Sequence, residues 1–256
     1  MNCSELLMIA IVAAVPIETA QLRRSLLPCE VRRCGHRELF LGTLCSHKIA
    51  LLHSGIGKVN AASAATALLE NFRPKALIVI GCGGAYPDSS LAIGDLALAT
   101  EEVSADEGVL THEGFRPFSD LGFPLLPNHG PRLESRFPVD RGLLGAARPI
   151  LEQVALQEGR KIAVGPMVTV STCSGSEHFG RELARRTGGL CENMEGAAIA
   201  QVCRLYRIPF LELRGISNRV ENRNLSNWDL TGAAEIAQLA LQTFLQNRNT
   251  FPEETA

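Results

Sequence analysis

Short apolar runs alternate with helix-patterned segments along most of the chain, and several of the runs end on glycine. No other feature constrains the fold as strongly, because strands followed by amphipathic helices pack as a largely parallel sheet with helices on its faces. The clearest strands are Leu7–Val15, Lys48–His53, Ala76–Ile80 and Phe210–Ile216, with weaker ones at Asp95–Thr100 and Gly165–Val170. Ala and Leu at spacings of three and four mark helices at Ile17–Leu27 and Asn60–Asn71. The second stops at Arg73-Pro74, since proline disfavours the helical conformation in the residue before it. Segments 192–206 and 232–247 read as two more helices. Residues 86–138 are rich in proline and poor in periodicity, and predict loops wrapped over the sheet edge. Neither a repeat nor a linker divides the 256 residues. The expectation is a single α/β domain over 1–256, with a core from about 6 to 247 and a disordered tail at 248–256.

Charge narrows the partners. With 25 basic against 27 acidic side chains and no dense Lys/Arg run, the chain is not built to neutralise phosphate backbones or anionic membranes. A small polar ligand is expected, with no nucleic acid and no membrane. The apolar run Leu6–Val15 follows Glu5, lacks a basic flank and runs into Pro16, so it reads as a buried strand and not a signal peptide. No apolar stretch approaches the ~20 residues of a membrane span. The eight cysteines form no CxxC pair and none stands at zinc-ligand spacing from a histidine. Reduced thiols, a cytoplasmic location, no metal and no cofactor are the corresponding expectations.

Three glycine-rich stretches punctuate strand ends: Ser54-Gly55-Ile56-Gly57-Lys58-Val59-Asn60, Gly81-Cys82-Gly83-Gly84, and the neighbourhood of Gly215. A phosphate-binding GxxxxGK[ST] loop is excluded, because Leu52 stands at its first glycine and Val59 at its hydroxyl. Asn60 likewise replaces the last glycine of a GxGxxG fingerprint. These glycines either let backbone amides approach a ligand closely or simply make tight turns. Glu18 opens a helix after the first strand, where a carboxylate also suits the helix dipole. Glu195 opens a second, small-residue helix in Cys191-Glu192-Asn193-Met194-Glu195-Gly196-Ala197-Ala198, and two carboxylates at strand-to-helix junctions suggest a shared site. Helical spacing lets only one of Glu192 and Glu195 face that site, leaving Glu192 as a solvated or capping residue. Asn218 ends the strand Phe210–Asn218, as a ligand contact or a turn former. His53 reads as a satisfied strand-end histidine, and Trp228 as a core anchor for the last helix.

Taken together, Glu18, SGIGKVNA (Ser54–Ala61), GCGGAYP (Gly81–Pro87) followed by IGD (Ile93–Asp95), ENMEGAA (Glu192–Ala198) and RGISN (Arg214–Asn218) resemble the purine nucleoside phosphorylase and nucleosidase superfamily, in the right order over residues 7 to about 245. Within it, AYPDSSLAIGD, SADEGV and SNW look like the futalosine hydrolase branch; methylthioadenosine/S-adenosylhomocysteine nucleosidases come next. The resemblance implies a three-layer α/β sandwich whose central mixed sheet is partly barrel-like. It also implies a homo-oligomer, a dimer or larger, acting on a small-molecule nucleoside. The activity implied is hydrolysis of futalosine to hypoxanthine and dehypoxanthine futalosine in menaquinone biosynthesis. The alternatives are a methylthioadenosine/S-adenosylhomocysteine or aminofutalosine nucleosidase and, in another class, a non-catalytic nucleoside-binding protein.

The same resemblance implies roles for residues. Glu195 would grip the ribose hydroxyls beside an oxocarbenium-like ring, Met194 would pack the sugar face, and Glu18 would activate the attacking water. Asn218 falls where adenine-specific relatives carry aspartate. A 6-oxopurine presents two acceptors, N7 and O6, which an amide can serve with donors, whereas an aspartate sets an oxygen against O6. Ser54, Gly55, Gly81, Cys82, Gly83, Thr172, Cys173 and Asn193 are the implied substrate-binding positions. The segment Thr169–Ser174 matches the purine-lining strand but lacks its aromatic. Arg116, Arg219 and Arg223 are equal candidates for the carboxylate on the 5′ side of futalosine. Relatives that use phosphate carry a Gly-Asp-Pro-x-Arg type loop; here Val15-Pro16-Ile17-Glu18 stands there, and its carboxylate would repel phosphate.

Overall fold

The computed structural model describes residues 8–121, 126, 135–222 and 224–247. The expected tail at 248–256 and Arg223 lie outside the described residues.

The first described element is β1 (Ile9–Ala13), whose five residues are all buried, the mark of a strand covered on both faces. A 3₁₀ turn (Pro16–Thr19) and the short helix α1 (Ala20–Ser25) follow, so the helix expected at 17–27 is broken after its first turn. Strands β2 (Glu30–Cys34), β3 (Arg37–Leu44) and β4 (His47–His53) form an antiparallel meander. Helix α2 (Lys58–Phe72) starts after Gly57 at φ +94° and buries Ala61, Ala64, Ala65, Leu68 and Leu69, one apolar stripe of 3.6 periodicity. It ends at Arg73 in the left-handed region, just before Pro74.

Next come β5 (Ala76–Ala85), β6 (Leu96–Ser104), the hairpin β7 (Gly108–Thr111) and β8 (Gly114–Pro117), and β9 (Arg136–Pro138). The weaker strand expected at Asp95–Thr100 is present as β6 and runs on to Ser104, four residues farther into the segment otherwise expected to be loops. Glu101 and Glu102 look like surface residues in the sequence, yet Glu102 is fully buried. Helix α3 (Arg141–Gln157), β10 (Ile162–Thr169), α4 (Glu177–Thr187), β11 (Cys191–Asn193), α5 (Gly196–Tyr206), β12 (Phe210–Arg219) and α6 (Leu230–Gln246) follow among the described residues. The helix expected from 192 starts only at Gly196, because Cys191–Asn193 is taken up as a strand between two others.

That strand decides the architecture. β11 pairs in parallel with β10 and antiparallel with β5, which closes β5, β12, β6, β10 and β11 into a five-stranded barrel. From β5 the sheet continues outward through β1, β4, β3 and β2. Helix α2 packs on α5, while α6 packs on α3 and lies across β12 and β5. Gly215 makes the last contact possible, since a Cβ there would sit 1.9 Å from the carbonyl oxygen of Ala233 on α6. The result is the expected mixed α/β sandwich with a partly barrel-like sheet. Trp228 is half-buried ahead of α6 and not part of the core.

Candidate active site

Glu18 sits on the turn that leaves β1. Its Oε2 accepts from the amides of Ala14 (2.8 Å) and Val15 (3.0 Å), and its Oε1 accepts from the amide of Cys82 on β5 (2.9 Å). Burial pushes this carboxyl above its ordinary range, against the attraction of Arg214 and the amides of Cys82 and Val15; the nearby Glu195 pushes in the same direction as burial. Gly81 makes the approach possible: a Cβ there would lie 2.5 Å from Glu18 Oε1 and 2.6 Å from Arg214 Nη1.

Arg214 projects from β12 opposite Gly81. Its Nε donates to Glu212 Oε1 (2.7 Å), its Nη1 to the carbonyl of Cys82 (3.1 Å), and its Nη2 stands 3.6 Å from Glu195 Oε2. Burial opposes the positive charge, and Glu212, Glu195 and Glu18 together more than offset it, so the guanidinium stays charged. Its Nη2 is buried and has no hydrogen-bond partner among the described residues.

Glu195 caps α5. Its Oε1 accepts from the amide of Gly57 (2.9 Å) on the loop before α2. The backbone beneath it is pinned by Asn193, whose Oδ1 accepts from the amides of Glu195 (2.9 Å) and Gly196 (2.8 Å). Met194 is half-buried alongside. Glu18 and Glu195, far apart in the chain, thus converge on one guanidinium.

Asn218 lies farther along β12. Ser217 is a bulge residue there, since Ile216 pairs with Gly83 and Asn218 with Gly84. The register places Asn218 three residues along β5 from Gly81, about 10 Å at ~3.3 Å per residue. Ser217 Oγ is 2.9 Å from Asn218 Oδ1, which leaves Nδ2 as the donor end, 3.3 Å from the carbonyl of Arg219. A Cβ on Gly84 would stand 3.0 Å from that Nδ2.

The remaining expected positions divide. Gly81 and Cys82 form the floor between Glu18 and Arg214. Gly83 gives its carbonyl to Ser217 Oγ (3.3 Å). Ser54 is buried and its hydroxyl donates to the carbonyl of Gly55 (2.8 Å). Asn193 turns its amide inward, to Glu102 and the start of α5. Thr172 is exposed and Cys173 half-buried on the loop after β10. Of the two expectations for Glu192, solvated or capping, the first is overturned: it is buried and ties down that loop by accepting from Ser174 N (2.9 Å) and Oγ (2.7 Å). His53 is satisfied by Thr19 Oγ1 (2.7 Å), and burial lowers it to about 4, so it is neutral near pH 7. Burial pushes the Cys82 thiol up to about 12, which leaves little nucleophilic thiolate. Arg219 is committed to the carbonyls of Pro87 (2.8 Å) and Leu91 (3.2 Å), while Arg116 pairs with Asp120 on the surface.

Sequence reasoning passed over Arg214, Gly57, Glu102 and Glu212 as separate contributors. A clue was present in FLELRGI: two charged residues at alternate positions of an apolar strand share a face, and a buried face holds charges only in pairs.

The family model of the phosphorylase superfamily matches residues 8–246. The futalosine hydrolase of Thermus thermophilus is 37% identical over 194 residues, 76% of this chain and 80% of that protein. A 5′-methylthioadenosine/S-adenosylhomocysteine nucleosidase of Mycobacterium bovis is 30% identical over 224 residues, 82% of this chain and 85% of that one. The crystal structure of the nucleosidase of that name from Neisseria meningitidis, in complex with methylthio-immucillin-A, superposes with a TM-score of 0.81 at 25% identity and covers 94% of this chain and 99% of its own. With nearly its whole length matched and its fold shared, the chain belongs to the phosphorylase superfamily.

Proposed function

We propose that this protein hydrolyses the N-glycosidic bond of a purine nucleoside, and that futalosine is its substrate. The convergence of Glu18 and Glu195 on Arg214 carries the reading. Bond cleavage leaves positive charge on the sugar, and a buried carboxylate beside the ring stabilises that charge most where water is excluded. Glu195, fixed by Gly57, is the residue for this task and for accepting hydrogen bonds from the ribose hydroxyls. Arg214 Nη2 offers a donor to a water, and Glu18, raised toward neutrality by burial, takes its proton. Two buried carboxylates disfavour phosphate as the nucleophile.

Asn218 supports the finer reading, because its donor end suits the N7 and O6 acceptors of hypoxanthine. The similarity to futalosine hydrolase points the same way. Likeness to methylthioadenosine/S-adenosylhomocysteine nucleosidases favours the second reading, in which the base is adenine.

A panel of futalosine, aminofutalosine, inosine and methylthioadenosine, each with and without phosphate, tests both. Hypoxanthine released from futalosine without phosphate is the expected result. Methylthioadenosine cleaved in its place would move the assignment to the second reading, and binding without turnover would end the enzymatic one. Asn218→Asp is expected to lower hypoxanthine release by about tenfold relative to adenine release, the worth of one mispaired base contact; an unchanged ratio removes the base-reading role.

A further inference from the structure

Behind Arg214 lie two carboxyl groups that touch no reacting atom in this scheme. Glu212 stands two residues before Arg214 on the same face of β12, Glu102 stands in β6, and both are fully buried. A Cβ on Gly196 would lie 2.3 Å from Glu212 Oε2 and 2.6 Å from Glu102 Oε1, so both groups press on the first residue of α5. The two carboxyl groups are therefore immediate neighbours.

Their partners differ in charge. Glu212 Oε1 accepts from the Arg214 guanidinium (2.7 Å). Glu102 meets neutral donors, Thr169 Oγ1 on Oε2 (2.6 Å) and Asn193 Nδ2 on Oε1 (2.9 Å). Among the described residues Glu212 Oε2 is buried without a hydrogen-bond partner, and a proton on Glu102 would supply one. Two adjacent carboxylates sealed from water repel each other strongly, and the member without a cation is the one that keeps a proton.

We propose that Glu102 carries the proton and Glu212 the charge, and that this dyad positions the Arg214 guanidinium between Glu18 and Glu195. Around it the titratable neighbours are Glu195 and Glu18, reached through Arg214, with the Cys191 thiol and Tyr86 phenol on the other side. Burial pushes both carboxyls up; the neighbouring Glu212 pushes Glu102 further, whereas Arg214 draws Glu212 only part of the way back. The kinetic part of the proposal rests on the hydrolase reading; the protonation part does not.

Two near-isosteric variants separate charge from shape. Glu212→Gln removes the anion on Arg214 Nε and is expected to lower kcat about thirtyfold or more with KM within about threefold. Glu102→Gln keeps a neutral donor for Glu212 but removes the acceptor of Asn193 Nδ2, so it is expected to lower the unfolding temperature while costing kcat less than about fivefold. Equal losses that track the unfolding temperature, or an unchanged kcat in Glu212→Gln, would overturn the positioning role. Infrared spectra near neutral pH read the proton directly, and decide the matter if Glu212→Gln does not fold. A buried protonated-carboxyl C=O band is expected in the wild-type protein and absent in Glu102→Gln; a wild-type spectrum without that difference overturns the dyad. A wild-type protein inactive on every nucleoside would sink the hydrolase reading and the kinetic arm, while the infrared result would still judge the proton.

Discussion

Glu18 illustrates how a side chain is held for chemistry at some cost to the fold. Three backbone amides point at its two oxygens, so a group that accepts on both sides is required. In Glu18→Gln the amide NH2 must face at least one of those donors. We expect hydrolysis to fall about a hundredfold or more and stability to fall by about 1–3 kcal/mol, checked by kcat and by urea unfolding. The acid limb of the wild-type rate profile should also reflect a base whose pKa is raised by burial, with activity lost as pH falls through it. His53 adds an effect of acid on stability. Its folded-state value of about 4 lies below the ordinary 6.5, so between those values the unfolded chain binds the extra proton and stability drains away as pH falls. His53→Gln, which keeps a hydrogen-bonding side chain toward Thr19, should show a smaller drop in unfolding temperature from pH 6.5 to 4 than the wild type.

At the level of elements, β5 and β12 do most to shape the site, and they do so through glycines with different jobs. Gly81 leaves room for Glu18 and Arg214, whereas Gly215 leaves room for the backbone of α6. Gly81→Ala is expected to reduce kcat by about a hundredfold with a stability loss of only about 1–2 kcal/mol, since flexible side-chain ends can shift. Gly215→Ala meets a carbonyl that cannot move without moving the helix, and should cost about 3 kcal/mol or more. Measuring kcat and unfolding free energy on both variants checks the distinction; equal losses of stability would contradict it. The strand pattern, the α2 stripe and the stop at Arg73-Pro74 were legible in the sequence because each depends on neighbours within a few residues. β11 was not. Three residues cannot show a period, and Cys191–Asn193 is extended only because β10 and β5 flank it.

Across the whole molecule, the same closure of β5, β12, β6, β10 and β11 brings Glu195 back to Gly57 and Arg214. A site assembled from so many segments exists only in the folded state, so product binding should stabilise the protein as a unit. Hypoxanthine at a hundredfold excess over its Kd should add about 2.7 kcal/mol, which for a chain of this size raises the unfolding temperature by roughly 5 °C or more. Thermal unfolding with hypoxanthine, adenine and phosphate in parallel checks this, and a larger shift with adenine would favour the second substrate reading.

The sequence alone determined the α/β class, the two candidate carboxylates and the asparagine, because strand and helix periods are local and the motifs ENMEGAA and RGISN are contiguous. Which charged groups face one another was settled by the barrel. Glu102, Glu212 and Arg214 look like ordinary polar residues of two strands far apart in the chain, and it is the closed barrel, with β6 paired to β12, β10 and β9, that shuts them away from water together. Removal from water is what turns such groups from solvated side chains into a coupled set, and burial on that scale depends on contacts between distant segments that no local pattern records.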